Sequence, residues 1–253
     1  MFASSCTSNA LFLDFDGTLV DFADRPETVV VPSNLQALLS ELFTALDGAV
    51  ALVSGRSIAS LDALLDLPLI PVAGGHGAEW RVNGTTHTVE INSPDYSDAV
   101  ALMTAFAAAH DLLFENKSHS FALHFRQHPH LKAKVDQFLA EQIEVLPGIR
   151  VIYGNCVREV QPRGMDKGKA VARFMQLPPF AGRCPIYIGD DTTDEDAFQW
   201  VNANHGWTLK VGGGMTAARH RLNSVADVSQ YLAEFLSALG RESGSADASQ
   251  PLR

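Results

Sequence analysis

The amino-acid sequence predicts an α/β protein: a doubly wound parallel-sheet core interrupted by an inserted α+β cap. Two observations carry this reading. Short runs that stay apolar without alternation, "LFLDF", "GAVALV", "LIPVAG" and "CPIYIG", are interleaved with helical patterns toward both ends of the chain. Strands apolar on both faces belong to parallel sheets covered on both sides. Between them, "LLFENKS", "SFALHFR", "IRVIYG" and "VREVQP" alternate in polarity, as strands packed on one face only do.

The elements follow in order. The opening strand runs from Leu11, holds Asp14, and ends at Asp16-Gly17. "PSNLQALLSELFTAL" puts Leu35, Leu38, Leu39, Leu42, Phe43 and Leu46 on one helical face by their i, i+3, i+4 and i+7 spacing. "GAVALVSGRS" is a buried strand that ends at Ser54-Gly55. Ser57 is a natural N-cap for a second helix with Ile58, Leu61, Leu64 and Leu65 as its stripe. "LIPVAGGHGAEW" supplies another strand and a glycine-rich exit, and helices are expected near 95–110 and 129–145. From "GMDKGKAVARFMQL" the alternation returns: Lys167 opens a helix whose face is Ala170, Val171, Phe174 and Met175, with Lys169 turned to solvent. "CPIYIGDDTTDEDAF" then reads as strand followed by helix. The simplest division is a Rossmann-like core over 1–91 and 163–240, a cap over 92–162, and a disordered tail over 241–253, where the residues are small and polar.

The chain has 253 residues, of which 46% are hydrophobic, enough to build a real core. A formal net charge of −10 argues against nucleic acid or anionic lipid as partner. Cys6, Cys156 and Cys184 are an odd number without CxxC spacing, which argues against a disulfide framework and a zinc site. The N-terminus lacks a basic patch followed by an apolar stretch, and no apolar run approaches the roughly 18 residues of a membrane span. A soluble, cytoplasmic protein acting on a small molecule, with no membrane partner, is the expectation.

Ligands of open α/β sheets bind beyond the carboxyl ends of the strands, and polar residues stand at those exits: Asp14 with Asp16, Ser54, and Asp190 with Asp191. Each also has an ordinary reading. Asp before Gly is a turn signal, Ser-Gly can be a plain strand exit, and the acids of "TDEDAF" suit a helix N-terminus. Lys167 fits its ordinary reading worst, because a cation at the positive end of a helix dipole is disfavoured unless it meets an anion. Brought to one sheet edge, the acids would repel one another. A divalent cation resolves that repulsion, and hard oxygen donors with room for a substrate phosphate suit Mg²⁺. Acids, Mg²⁺ and Lys167 together describe an anion site fit for phosphoryl transfer.

The segments "DFDGTL", "SGR", "DKG" and "GDDTTDEDAF", in that order with an insert between the second and third, resemble those of the haloacid dehalogenase-like phosphohydrolases. The resemblance implies Asp14 as nucleophile, forming an aspartyl-phosphate. It implies Asp16 as the acid that protonates the leaving oxygen and then activates water, its backbone carbonyl touching the metal. Ser54 and Lys167 would hold the phosphoryl oxygens. Asp190 would bind Mg²⁺ directly, with Asp191 and Asp194 supporting it. Adjacent negative charge is expected to raise the pKa of Asp16 into the range of an acid catalyst.

Specificity is expected in the cap. Alternation puts Glu115 and Lys117 on one strand face, His124 with Arg126 opposite Phe121, Leu123 and Phe125, and Glu159 between Arg158 and Val160. Such a face is either a set of hydrogen-bond partners for a polyol or an ordinary solvated face with cross-strand charge pairs. "GGHGAEW", "ENKSHSFALHFR" and "REVQPRGMDKG" are similar to the matching segments of trehalose-6-phosphate phosphatases. That likeness implies Glu115, Lys117 and Glu159 as ligands of the distal glucose and Arg126 as a residue that positions sugar or phosphate. Arg56 and His124 join them as substrate-binding candidates. His76 and Gly77 lie in a matching loop without an assigned role.

The expected function is Mg²⁺-dependent hydrolysis of trehalose 6-phosphate, a disaccharide phosphate, in functional pairing with a trehalose-phosphate synthase. Two alternatives stay open: a phosphatase for sucrose 6-phosphate, mannosyl-3-phosphoglycerate or a hexose phosphate, and a silent sugar-phosphate-binding partner of a synthase. The intact Asp14/Asp16 pair speaks against the silent one.

Overall fold

Strand β1 (Asn9–Leu13) is apolar on both faces because it lies mid-sheet, with parallel strands on either side. A computed structural model describes residues 8–23, 28–89, 94–116, 120–154 and 156–247. Helix α1 (Leu35–Ala45) buries Leu35, Leu39 and Leu42, and strand β2 (Val50–Val53) is buried throughout. Helix α2 (Ile58–Asp62) is capped by Ser57, whose side chain accepts from the Ser60 N–H at 3.2 Å. It ends before Leu64 and Leu65, so the expected stripe is cut to Ile58 and Leu61. Strand β3 (Val72–Gly74) leads through a tight turn to β4 (Glu79–Val82) and β5 (Thr85–Thr88). Asn83 and Gly84, both at positive φ, form the two-residue turn that matches the twist of a hairpin.

The inserted segment supplies helix α3 (Pro94–Ala109), strands β6 (Leu113–Asn116) and β7 (Phe121–His124), helix α4 (Lys132–Val145), and strands β8 (Ile149–Gly154) and β9 (Val157–Pro162). The core half that follows comprises α5 (Lys167–Phe174), β10 (Cys184–Gly189), α6 (Glu195–Ala203), β11 (Trp207–Val211), β12 (His220–Leu222) and α7 (Val225–Asp247).

By its contacts the chain divides into Met1–His87 with Asp166–Arg253, and Thr88–Met165. The first unit carries an eight-stranded sheet in the order β12-β11-β10-β1-β2-β3-β4-β5. It is parallel from β12 to β3 and antiparallel at β3–β4, the α/β class expected. Phe12 stacks on Phe180 and Phe174 beneath it. The second unit is a four-stranded antiparallel sheet, β6-β7-β9-β8. Phe121, Leu123 and Val160 pack with Met103 of α3 and with Val135 and Leu139 of α4 into its core.

Two expectations need correction. The tail expected over 241–253 begins inside a helix, because α7 continues to Asp247; residues 248–253 lie outside the described residues. Arg126 does not share a strand face with His124: β7 ends at His124, and Arg126 is exposed in a turn closed by the His128 N–H on the Phe125 carbonyl.

Candidate active site

The carboxyl ends of β1, β2 and β10 share one edge of the core sheet, because the three strands are neighbours and parallel. The Asp14 N–H still donates to the Ile188 carbonyl at 3.0 Å, so the sheet itself sets where this side chain emerges. It is only 4% exposed. Beyond it the chain turns sharply: the N–H groups of Leu19 and Val20 converge on the Phe15 carbonyl, and Gly17 N–H donates to the Val20 carbonyl. Gly17 has φ +76, and a Cβ there would lie 2.3 Å from Asp190 Oδ2. Only glycine serves at that position.

Lys167, the first residue of α5, is 2% exposed. Its ammonium donates to Asp14 Oδ1 and to Asp194 Oδ1, both at 2.7 Å. Burial alone would push that ammonium down, but Asp14 and Asp194 outweigh it and hold its pKa above the ordinary value. The Asp14 carboxyl is pushed well up by burial and by the negative charge of Asp194, against the pull of Lys167. Burial and Asp194 likewise raise Asp190 to about 6. The Thr18 hydroxyl reaches toward both acids, 3.4 Å from Asp14 Oδ2 and 3.5 Å from Asp190 Oδ1.

Asp194 is the buried hub of the β10 exit. Its Oδ1 accepts from Lys167 and from the Tyr187 hydroxyl at 2.7 Å, and its Oδ2 accepts from the Asp190 and Asp191 N–H groups at 3.0 and 2.9 Å. Burial, then Asp194 and Asp14, push the Tyr187 phenol well above its usual range. Asp191 is exposed and caps the turn Thr192–Asp194 in a reciprocal box with Asp194.

One ligand atom from each of Asp14, Asp190 and Asp194 lies within 4.8 Å of the others. Three carboxylates so close, with Lys167 as cation, form an all-oxygen donor set that fits a small divalent ion. Asp14 and Asp190 could offer it an oxygen more readily than Asp194, each of whose oxygens already accepts two hydrogen bonds.

The side chain of Asp16 stands apart from that cluster. Arg56 grips it with two bonds, Nε to Oδ2 at 2.6 Å and Nη2 to Oδ1 at 2.7 Å. The charge beside Asp16 is therefore positive, where negative charge was expected. Ser54, at the end of β2, is buried, and its hydroxyl oxygen accepts from the Arg56 N–H at 3.1 Å. The His76 N–H donates to the Ser54 carbonyl at 2.9 Å, which ties the glycine-rich loop to the same strand end. The Lys169 ammonium pairs with Asp166 at 3.0 Å while staying largely exposed.

In the second unit, Glu115 Oε2 meets His124 Nε2 at 2.9 Å, and Glu159 Oε1 accepts from the Ser120 hydroxyl at 2.7 Å. Register pairs Glu115 and Glu159 with Ala122 from either side, on the sheet face away from Phe121 and Leu123. Arg158 points the other way, tied to Asp136 at 2.6 Å. Lys117 lies outside the described residues. Residue-by-residue reading missed Thr18, Tyr187 and the Arg56–Asp16 pair; the hydroxyls in "DGTL" and in the otherwise apolar "CPIYIG" were the available signals.

A family model described as trehalose-phosphatase matches residues 12–231. The chain is 43% identical, over 91% of its length and 87% of the relative's, to trehalose-6-phosphate phosphatase of Escherichia coli (strain K12). It is 38% identical, over 83% and 80%, to a probable trehalose-phosphate phosphatase of Sinorhizobium fredii (strain NBRC 101917 / NGR234). The solved structure of a trehalose-6-phosphate phosphatase related protein covers 93% of this chain and 100% of its own, with a TM-score of 0.70 at 27% identity. A match that begins inside β1 and ends inside α7 takes in every strand end that builds the acidic cluster, and the chain belongs to the trehalose-phosphatase family.

Proposed function

We propose that this chain is a phosphatase that hydrolyses trehalose 6-phosphate to trehalose and phosphate, with Asp14 as nucleophile. The observation that carries the reading is the buried Asp14–Lys167 contact at 2.7 Å with Asp190 beside it. A carboxylate held out of water beside a fixed cation is placed to attack phosphorus while the cation steadies the phosphoryl oxygens.

In the first step an Asp14 oxygen bonds to phosphorus, the ester P–O bond breaks, and Asp16 gives its proton to the departing sugar oxygen. In the second, Asp16 takes a proton from water, the water oxygen bonds to phosphorus, and the Asp14–phosphorus bond breaks. Lys167 and Ser54 hold the phosphoryl oxygens. Arg56 orients Asp16 and turns to the incoming phosphate, which frees the Asp16 carboxyl for proton transfer. Asp14, Asp190 and the Asp16 carbonyl would hold Mg²⁺, with Asp191 supporting it, and the ion would neutralise phosphate charge among the acids. Glu115, Lys117, His124, Arg126 and Glu159 would bind the sugar hydroxyls.

The substrate must come from a glucosyl transfer onto glucose 6-phosphate, so pairing with a trehalose-phosphate synthase in the cytoplasm belongs to this reading. Among the described residues no helix is long and apolar enough to cross a membrane. Phosphate release with Mg²⁺ over trehalose 6-phosphate, sucrose 6-phosphate and glucose 6-phosphate tests the assignment. Fastest turnover is expected on trehalose 6-phosphate; preference for another sugar overturns it.

A further inference from the structure

Phe22 is 70% exposed, although it belongs to the segment that leaves the phosphoryl site. The turn after β1 folds the chain back so that the Phe22 ring covers Gly17: a Cβ built on Gly17 would lie 2.6 Å from the ring and 2.3 Å from Asp190 Oδ2. The ring and the Asp190 carboxylate thus flank the same point, one residue beyond Asp16. The side chains placed around this edge, Asp14, Asp16, Asp190, Lys167 and Arg56 with the hydroxyls of Thr18 and Ser54, are charged or polar and suit phosphate or metal. None offers an apolar surface to the carbon skeleton of a leaving group.

We propose that Phe22 is a specificity-determining residue that stacks on the phosphorylated pyranose ring of the substrate. This rests on the reading of the site as a sugar phosphatase. Asp14 attacks phosphorus from one side, so the leaving oxygen departs on the other, where Asp16 must reach it. The first sugar ring therefore emerges beside the residues that follow Asp16. A pyranose has hydroxyls at its edge and C–H groups on its faces, and C–H groups are attracted to the negative face of an aromatic ring. An exposed ring also gains from leaving water when a sugar covers it. Small acyclic phosphates reach Asp14 and Lys167 equally well but give Phe22 nothing to cover.

The test compares wild type, F22A, F22L and F22Y on trehalose 6-phosphate, glucose 6-phosphate and acetyl phosphate, with Mg²⁺ throughout. Because Phe22 is exposed, all variants should melt close to wild type. F22A should lower kcat/KM on the sugar phosphates about ten-fold, mainly through KM, and lose at least roughly five-fold less on acetyl phosphate. F22Y should stay near wild type, and F22L should remain near F22A. Equal losses on all three substrates would make the ring a support for the Gly17 turn and overturn the proposal. Unchanged sugar kinetics in F22A, or full rescue by leucine, would overturn it too. A wild type that turns over glucose 6-phosphate but not trehalose 6-phosphate defeats the disaccharide assignment alone; the comparison of glucose 6-phosphate with acetyl phosphate still decides Phe22.

Discussion

Lys167 Nζ lies 2.7 Å from Asp14 Oδ1, although the two residues are 153 positions apart, and neither is open to water. The same ammonium holds Asp194. Lys167→Met should therefore damage the fold as well as the chemistry, since it strands buried carboxylates without their cation. Removing one partner of a buried pair typically costs about 3–5 kcal/mol. A lower melting temperature together with loss of phosphate release is expected; a normally stable, inactive variant would show that the pair serves catalysis alone.

Asp191 and Asp194 are neighbours with unequal tasks. Asp194→Asn would turn a buried acceptor of four hydrogen bonds into a group with two donors, facing Lys167 or the β10-exit N–H groups. Strong destabilisation and loss of turnover should follow. Asp191→Ala removes a turn cap at an exposed position and should cost about 1 kcal/mol, with activity that falls at low Mg²⁺ and recovers as Mg²⁺ is raised. Thermal melts and phosphate release on both variants check the contrast.

Asp190 titrates near 6 in the folded protein, above its ordinary 3.8. The folded state then holds a proton that the unfolded state gives up between those values, so this group favours folding most at low pH. Its contribution falls as pH rises through about 6. Mg²⁺ binding requires that proton to leave, and the one on the raised Asp14 carboxyl as well, so affinity should climb as pH rises through about 6. Calorimetry at pH 5.5 in two buffers of different ionisation enthalpy should show proton release on Mg²⁺ binding. Identical heats in both would contradict the raised Asp190.

Glu115 tests the second unit. Glu115→Ala removes a sugar ligand on the proposed reading and breaks the 2.9 Å contact with His124. As an exposed pair, that contact contributes at most about 1 kcal/mol to stability. The variant should fold normally and lose roughly ten-fold or more on trehalose 6-phosphate, with much less effect on a small aryl phosphate. Equal losses on both would remove Glu115 from the sugar site.

Short-range rules made much of this visible in the sequence. Asp14, Ser54 and Asp190 follow runs that could only be buried strands, and Lys167 follows a helix cap at Asp166. Alternation also found the common face of Glu115, His124 and Glu159. It failed at Arg126 because alternation carries no mark of where a strand stops. The Arg56–Asp16 pair was hidden because it joins the exits of two strands, and side-chain direction there depends on turns. Hairpin β4–β5 was signalled by Asn83-Gly84 and passed over. Helix α7 outlasts its apolar stripe because extending a helix already anchored by buried Val228, Leu232 and Phe235 needs no new nucleation.

The insertion between β5 and α5 also orders events during synthesis. When the ribosome has finished the second unit, Asp14 exists but Lys167, Asp190 and Asp194 do not, and β1 has only β2 beside it. Its other flank waits for β10, which follows the whole second unit. The nascent protein thus carries an open, apolar strand edge while the whole second unit is being made. Premature termination anywhere before β10 would leave a fragment prone to aggregate and without phosphatase chemistry, so activity can appear only after the β10 exit has been translated.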